Sequence, residues 1–302
     1  MTKQYPLFFV QGFKGKVLFN VPMSEYTSLS VGGPADVMAF PQDEADLRDI
    51  LLFAASRRFP VFILGVGTNL LVRDGGIRGV VVNMSEGFKD ISEIGDTRVQ
   101  AGGGLKIKEL LAWCVEKGFR GTEFTAGIPG TVGGAVAMNA GAYGHEMKDI
   151  VEGIDIITSK GQRGYLSVSD LRFGYRHAEL PKNAVIVNVY LRLEKAEQQA
   201  IRDKIKEMRE RRRHTASISL PNAGSVFKNP EGKGAGKLIE DAGLKGRCVG
   251  EAEISTVHAN YIVNKGSASA RDILALMAII RDTVYGKTGI VLEPEIRVVG
   301  ED

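Results

Sequence analysis

Cysteine and histidine are scarce in this chain of 302 residues, and their spacing excludes two classes of site. The two cysteines, Cys114 and Cys248, are too few for a disulfide framework and lack the spacing of metal ligands. We therefore expect ordinary thiols in a reducing cytosol. The histidines form no H-x-x-x-H or related pattern, so the sequence predicts no metal site; they are His145, His177, His214 and His258.

Long apolar segments and a large net charge are also missing. The longest uninterrupted apolar run, 273–280, is far shorter than the ~20 residues that a membrane-spanning helix needs. The first residues lack the apolar core of a signal peptide. A formal net charge of +3 is too small to indicate a nucleic-acid-binding protein by itself. The sequence therefore predicts a soluble, cytoplasmic protein with no membrane or nucleic-acid partner, and no obligate protein partner is evident.

Neither standard nucleotide-binding fingerprint is present. The segment GKGAGK at 232–237 has its first glycine one place late for a P-loop, and Leu238 stands where Ser or Thr is needed. The glycine clusters beginning at Gly65 and Gly102 lack the last glycine of G-x-G-x-x-G. A nucleotide cofactor would therefore need a different kind of loop.

Glycine, by contrast, is abundant. The 37 glycines make up about 12% of the chain, against about 7% in average proteins. Eight of them lie in 118–144, and others follow the apolar segment 61–64. Such small, uncharged loops suit close contact between the backbone and a large flat ligand such as a flavin. Main-chain N–H groups would bind the phosphates of that ligand. The alternative is tight packing of turns with no ligand.

Hydrophobic periodicity divides the chain into three units of mixed helix and strand. Residues 1–25 are interpreted as a short lead-in, and Asp43 is predicted to cap the first helix. Helical spacing occurs at 44–58, 106–117, 196–213, 236–243 and 270–285. Strand patterns occur at 37–40, 61–64, 80–83, 97–101, 150–158, 163–168, 184–193 and 290–299.

Four segments place polar side chains beside aromatic residues or glycines. No G-x-S-x-G elbow surrounds Ser225, so a hydrolase triad is unsupported. In an extended chain Glu295 and Arg297 would lie on the same face. Taken singly, each segment is also explained by a surface ion pair, a turn serine or a solvated arginine. The segments are FGYR at 173–176, NAGSVFKNP at 222–230, HANYIVN at 258–264 and LEPEIR at 292–297.

Five motifs in order resemble the UDP-N-acetylenolpyruvoylglucosamine reductase family over nearly the whole chain. They are GVGTNLLV, AGIPGTVGGAVAMNAGAYG, FGYR, NAGSVFKNP and LEPEIR. The length resembles the shorter branch, which lacks an extra Tyr-bearing loop. The resemblance implies an α+β fold, with a two-subdomain FAD-binding fold of the vanillyl-alcohol oxidase type and a third, α/β substrate-binding domain. The implied FAD-binding subdomains are 1–90, joined by the C-terminal strand 290–302, and 91–195; the substrate-binding domain is 196–289.

The resemblance also implies the chemistry. Hydride from NADPH passes by way of non-covalently bound FAD to the enolpyruvyl group of UDP-N-acetylglucosamine-enolpyruvate, which gives UDP-N-acetylmuramate for the bacterial cell wall. Arg176 matches the arginine that polarises the substrate carboxylate, Ser225 the proton donor, and Glu295 the acidic catalytic residue. The implied substrate contacts are Arg213, Lys228, Asn229 and Arg297. The expected FAD contacts are Gly65, Val66, Gly67, Thr68, Asn69, Leu70, Gly127, Ile128, Pro129, Gly130, Gly133, Gly134, Asn139, Gly141 and Tyr143.

Two alternatives remain open on the residues alone. One is a flavin-dependent oxidase or dehydrogenase that acts on a sugar or hydroxy acid. The other is a non-catalytic sensor of a nucleotide sugar, which would be colourless after purification.

Overall fold

The computed structural model describes residues 12–216 and 218–302, with side chains for 12–211 and 218–302. The described chain forms helices and several separate sheets, which is the α+β arrangement predicted from the sequence. None of the helices in this part of the chain is long and apolar enough to cross a membrane. Single 3-10 turns connect larger elements at Met23–Tyr26, Glu123–Thr125 and Met147–Asp149.

The first unit is a mostly parallel sheet with one helix. Its elements are β1 (Lys16–Pro22), β2 (Pro34–Phe40), α1 (Glu44–Arg57), β3 (Val61–Leu64), β4 (Leu70–Val72) and β5 (Ile77–Asn83). The sheet has the order β1-β2-β5-β3, and only β1 is antiparallel to its neighbour. The helix predicted at 44–58 is confirmed as α1. Its predicted cap is confirmed as well, because Asp43 accepts the Asp46 N–H at 3.0 Å.

The second unit is built on an antiparallel five-stranded sheet. The elements of this unit are β6 (Ile91–Ile94), β7 (Arg98–Gly102), α2 (Ile107–Lys117), β8 (Phe119–Arg120), α3 (Val132–Ala137), β9 (Gly141–Ala142), β10 (His145–Glu146), β11 (Val151–Ile157), β12 (Arg163–Ser167), β13 (Phe173–Gly174), β14 (His177–Ala178), β15 (Val185–Arg192), β16 (Glu194–Lys195) and α4 (Gln198–Ala216). The sheet has the order β12-β11-β15-β7-β6. A short hairpin, β13 and β14, carries Arg176 in its turn.

Helix α4 packs with the second unit. Its inward residues Ile201, Ile205 and Met208 are buried in the same hydrophobic core as Val99 of β7 and Leu110 of α2. The boundary predicted at 195/196 therefore does not match the packing, because the periodicity that reveals a helix does not reveal which core its apolar side joins.

The third unit combines a three-stranded antiparallel sheet with two helices. Its elements are α5 (Ala235–Asp241), β17 (Cys248–Val249), β18 (Ala252–Ile254), β19 (Ile262–Asn264), α6 (Ala270–Thr288) and β20 (Arg297–Val299). Its core is continuous with the first unit, since Leu29, Val31 and Leu71 pack among the apolar residues of α5 and α6.

Three element predictions are wrong. The lead-in 1–25 contains the edge strand β1, whose partly exposed side chains follow no regular apolar alternation, while 1–11 lie outside the described residues. Helix α6 continues through Gly286 and ends at Thr288, where Gly289 adopts the left-handed φ of +70°. The strand predicted at 290–299 forms only at Arg297–Val299, where it finds a partner strand.

The C-terminal segment returns to the first unit. Strand β20 pairs in parallel with β4, and the Arg297 N–H donates to the Asn69 carbonyl at 3.0 Å. Two further contacts join the first and third units. Asp74 accepts the N–H of Ala270 at the start of α6 at 2.8 Å, and the Asn264 amide donates to the Leu29 carbonyl at 3.1 Å. The loops after β3 and before β20 are therefore held side by side.

Candidate active site

Arg176 and Glu295 form an ion pair although 119 residues separate them in the chain. Arg176 Nε donates to Glu295 Oε1 at 2.9 Å, and its Nη2 donates to the Gly141 carbonyl at 3.0 Å. The side chains keep only 20% and 17% of their exposure. Arg176 occupies the turn of the β13–β14 hairpin with a left-handed φ of +58°. The sequence predicted both residues but not their contact.

The surroundings of Glu295 favour its protonated form. Burial raises the pKa of this carboxyl above its ordinary value, and the positive charges of Arg176 and Lys228 only partly oppose the rise. Glu295 can therefore hold a proton to higher pH than an exposed glutamate, which suits a group that gives and takes a proton.

Ser225 lies on the segment that is hydrogen-bonded to Glu295. The Glu295 N–H donates to the carbonyl of Val226 at 2.8 Å, and half-buried Ser225 directly precedes Val226. Two residues further on, the Lys228 N–H donates to the Glu293 carbonyl at 2.8 Å. Arg176, Ser225 and Glu295 are thus carried by three chain segments that meet at one place.

The remaining predicted substrate contacts have clear partners within the protein. Lys228 Nζ lies 3.4 Å from Glu293 Oε2, and Asn229 Oδ1 accepts the Ala235 N–H at the start of α5 at 2.9 Å. The Arg297 guanidinium stacks over Phe62 at 5.9 Å. A bend at residue 296 separates Glu295 from Arg297, so the alternation expected of an extended chain does not apply. The side chain of Arg213 lies outside the described residues.

The loop 65–70 contains main-chain N–H groups that are not used in hydrogen bonds. Within the described chain, the N–H groups of Val66, Gly67 and Thr68 have no hydrogen-bond partner. Gly67 packs so closely that a Cβ would collide with the Tyr26 carbonyl, and its φ is +66°. Position 67 thus requires glycine for two reasons, the close packing and the left-handed backbone conformation.

Asn69 joins this loop to the ion pair. Its amide donates to the Glu295 carbonyl at 3.2 Å, and its own carbonyl accepts the Arg297 N–H. The Asn69 amide nitrogen also lies 3.6 Å from Met138 Sδ. The Asn69 side chain thus binds the chain segment that carries Glu295.

The glycine-rich segment within 118–144 differs from the loop 65–70, because two of its main-chain N–H groups are paired. The Gly133 N–H donates to the Gly103 carbonyl at 2.9 Å, and the Gly134 N–H to Thr131 Oγ1 at 3.2 Å. These two N–H groups are therefore already paired within the chain. Gly130 differs, because a Cβ there would meet only Thr68 Oγ1, at 4.0 Å.

The last three predicted FAD contacts position neighbouring segments. Buried Asn139 donates to the Gly174 carbonyl at 3.0 Å and so fixes the hairpin that carries Arg176. The Gly141 carbonyl accepts from Arg176 itself. The Tyr143 hydroxyl donates to the Met208 carbonyl of α4 at 2.8 Å. The sequence showed these residues as part of a motif, but it did not show these partners.

An unpaired, buried hydroxyl lies beside the first loop. The Ser28 hydroxyl is buried and has no hydrogen-bond partner among the described residues. The Ser28 N–H donates to the Gly67 carbonyl at 3.1 Å, so the residue borders the loop with the spare donors. Buried polar groups are normally paired, so this arrangement fits a ligand with hydrogen-bonding groups, such as FAD.

Two family models match separate parts of the chain. A model described as FAD binding domain matches residues 35–164, and one described as UDP-N-acetylenolpyruvoylglucosamine reductase, C-terminal domain, matches residues 214–299. The second match begins at the end of α4, close to where the packing of the third unit begins.

Similar proteins cover nearly the full length. The UDP-N-acetylenolpyruvoylglucosamine reductase of Alkaliphilus oremlandii is 43% identical over 95% of this chain and 94% of its own length. That of Geotalea uraniireducens is 41% identical over 97% of both. The crystal structure of the Thermus caldophilus reductase covers 94% of this chain and 98% of its own, with a TM-score of 0.81 and 33% identity. The chain therefore belongs to the UDP-N-acetylenolpyruvoylglucosamine reductase family and is an FAD-dependent oxidoreductase.

Proposed function

We propose that the protein reduces UDP-N-acetylglucosamine-enolpyruvate to UDP-N-acetylmuramate, with NADPH as the source of hydride. The observation that carries this proposal is the meeting of Arg176, Glu295 and the Ser225 segment beside a glycine loop with spare donors. The product would enter peptidoglycan synthesis in the cytoplasm and so serve cell shape and division.

The glycine loops are proposed to hold FAD without a covalent bond. Val66, Gly67 and Thr68 would offer main-chain N–H groups to the diphosphate, while Gly130 leaves open space for the backbone to approach the ligand. The bound cofactor would accept hydride from NADPH and supply hydride to the terminal enolpyruvyl carbon. Side chains of the protein would bind the substrate carboxylate and supply the proton.

Arg176 is proposed to bind the substrate carboxylate. Hydride addition to the terminal carbon leaves a pair of electrons on the neighbouring carbon, and the adjacent carboxylate takes up this charge as an enolate. A guanidinium fixed by Gly141 is already aimed and needs little reorganisation. The arriving carboxylate would compete with Glu295 for Arg176, and a second carboxylate nearby favours protonation of Glu295. Glu295 would then donate a hydrogen bond to the enolate.

Ser225 is proposed to give the proton that completes the reduction. One hydride on the terminal carbon and one proton on the carbon that bears the carboxylate convert the double bond to a lactyl ether. Serine is a weak acid, so the resulting alkoxide needs a nearby cation. Lys228 is proposed for this part, since it follows three residues later and its charge acts on Glu295.

The half-reactions test the proposal. Purified protein should be yellow, NADPH should bleach it, and the enolpyruvyl substrate should restore the colour. In Ser225→Ala, bleaching should proceed as in the wild type, while recovery with substrate should slow by at least about 100-fold, because general acid catalysis commonly contributes 10²- to 10⁴-fold. Ser169→Ala, in an exposed turn, is the matched control.

Normal recovery in Ser225→Ala would remove Ser225 from the mechanism. Rapid oxygen consumption with a sugar or hydroxy acid would favour the oxidase alternative.

A further inference from the structure

We infer that Asn260 is a positioning residue that holds Ser225 at a fixed distance from Glu295; this inference rests on the reaction proposed above. Asn260 lies in the polar segment 258–264, which has no assigned role in the reaction. It does not touch the reacting groups, and it acts through the two residues that follow Ser225.

Asn260 binds the backbone after Ser225 with three hydrogen bonds. Its Nδ2 donates to the Phe227 carbonyl at 2.8 Å, and its Oδ1 accepts the Phe227 N–H at 3.0 Å. Its own carbonyl accepts the Val226 N–H at 2.8 Å. The side chain, in a residue only 3% exposed, thus pairs with a peptide group as a neighbouring β-strand would.

The opposite side of the same backbone binds the Glu295 segment. The Val226 carbonyl accepts the Glu295 N–H at 2.8 Å, and Phe227 forms an antiparallel bridge with Pro294. Residues 226–227 therefore lie between Asn260 on one side and the Glu295 segment on the other. A displacement of residues 226–227, which carry Ser225, relative to Glu295 would break some of these hydrogen bonds.

Asn260 is itself held in place. Its N–H donates to Nδ1 of His258 at 3.2 Å, and the His258 ring packs edge-on against Tyr261 at 4.9 Å. Burial lowers the pKa of His258 and so favours the neutral ring, which leaves Nδ1 able to accept. The turn that presents the Asn260 amide is therefore fixed by its own hydrogen bonds.

The pairing needs a carboxamide of this length. An amide both donates and accepts, whereas an aspartate only accepts and an aliphatic side chain does neither. Asn264 provides a matched control four residues away. It is similarly buried, and its amide also binds backbone groups, namely the Leu29 carbonyl and the N–H groups of Gly266 and Ala268. Among the described residues, none of its side-chain hydrogen bonds reaches 225–227.

Hydrogen exchange tests the contact without reference to catalysis. In the wild type, the amides of Val226 and Phe227 should exchange slowly. In Asn260→Ala the protection of Phe227 should fall most, because its acceptor is the side chain, whereas Val226 keeps the main-chain carbonyl of residue 260 as acceptor and should lose less. In Asn264→Ala the protection of both amides should stay. Fast exchange of both amides in the wild type would overturn the inference without any variant. If Asn260→Ala does not fold, Asn260→Asp keeps the acceptor for Phe227 and loses the donor, and a smaller loss of protection is expected.

Half-reaction rates test the consequence for the reaction. Asn260→Ala should be reduced by NADPH at close to the wild-type rate but be reoxidised by substrate about 100-fold more slowly, the scale on which displacement of a reacting group by about 1 Å acts. Adding Asn260→Ala to Ser225→Ala should slow reoxidation no further, because the asparagine acts through the serine. Asn264→Ala should lose thermal stability but keep its reoxidation rate below its melting temperature.

The outcomes separate the two proposals. If Ser225→Ala is reoxidised normally, the proton-donor role fails whatever Asn260 does. If Ser225→Ala is slow and Asn260→Ala is as fast as the wild type, the positioning role is wrong. Equal slowing in Asn260→Ala and Asn264→Ala, or additive effects in the double variant, would assign Asn260 to general stability and also overturn the inference.

Discussion

At the scale of single residues, Glu295 shows a conflict between stability and chemistry. The carboxyl is mostly removed from water, and one ion pair with Arg176 does not offset the loss of hydration, because the net effect is a raised pKa. The folded protein therefore binds the Glu295 proton more tightly than the unfolded chain does. Such a group costs stability when ionised and is retained because the site needs it.

The substitution Glu295→Gln should remove this cost. Because the pKa of Glu295 is raised, the wild type loses stability as pH rises from the ordinary value of 4.5 through the raised value. The variant should therefore melt at a higher temperature than the wild type near neutral pH, and the difference should shrink as pH falls toward 4.5. Turnover should fall by at least about 100-fold. Thermal melting from pH 4 to 8 measures the first effect.

Glu293→Gln is the matched control for this prediction. Its side chain is two residues away and 72% exposed, so its melting temperature relative to the wild type should not show that pH dependence. A lower melting temperature of Glu295→Gln at neutral pH would contradict the prediction and would mean that the pair with Arg176 outweighs burial.

At the scale of elements, helix α6 begins with an unusually complete set of partners for its first N–H groups. Ser269 accepts the Asp272 N–H at 3.1 Å, while Asp74, from the loop after β4, accepts those of Ala270 and Arg271 at 2.8 and 3.0 Å. The local cap follows the usual pattern of serine and an acidic residue three places later. The contribution of Asp74 comes from 196 residues earlier and joins two units.

The substitution Asp74→Ala should destabilise the protein by about 1 kcal/mol, the usual effect of losing a cap. Two N–H groups of α6 would lose their acceptor, and a negative charge would leave the positive end of the helix. Chemical denaturation measures the change in the free energy of unfolding. Asp282→Ala, on an exposed position of the same helix, should change it by less than about 0.5 kcal/mol. Equal effects of the two substitutions would contradict the role of Asp74.

At the scale of the whole molecule, the C-terminal strand returns to the first unit. The C-terminal strand β20 lies beside β4, and Asn69 binds the backbone on both sides of residue 296. The third unit also shares its core with the first. The position of Glu295 therefore depends on the first unit as much as on its own neighbours in sequence.

Removal of residues 297–302 should consequently disturb the site and the fold together. The deletion eliminates β20 and its pairing with β4, so we expect a lower melting temperature and slower reoxidation by substrate. Asp302→Ala is the control, because it removes only the exposed pair with Arg73, worth at most about 1 kcal/mol. Calorimetry and stopped-flow absorbance measure the two effects. A truncated protein with wild-type reoxidation would show that β20 does not position Glu295.

Most helices and strands, and the motifs that contain the site residues, could be predicted from the sequence alone. Helix α1 with its cap at Asp43 and strand β3 came directly from local patterns, because caps and apolar periodicity act over only a few residues. The motifs that hold Arg176, Ser225 and Glu295 were recognisable by resemblance. The edge strand β1 was not predicted, since its side chains show no regular apolar alternation. Helix α6 continues past Gly286, the residue at which the local pattern predicts its end.

What the sequence by itself determined was the set of local elements, the family motifs and the absence of the common nucleotide fingerprints. Only the tertiary structure decided that Arg176 pairs with Glu295, that Asn69 and Asn260 serve the backbone near them, and that the Gly133 and Gly134 N–H groups are already occupied. It also decided that α4 joins the second core. The reason is physical: each of these facts depends on which distant backbone group satisfies a hydrogen bond or which surface covers an apolar side, and local sequence does not specify that partner.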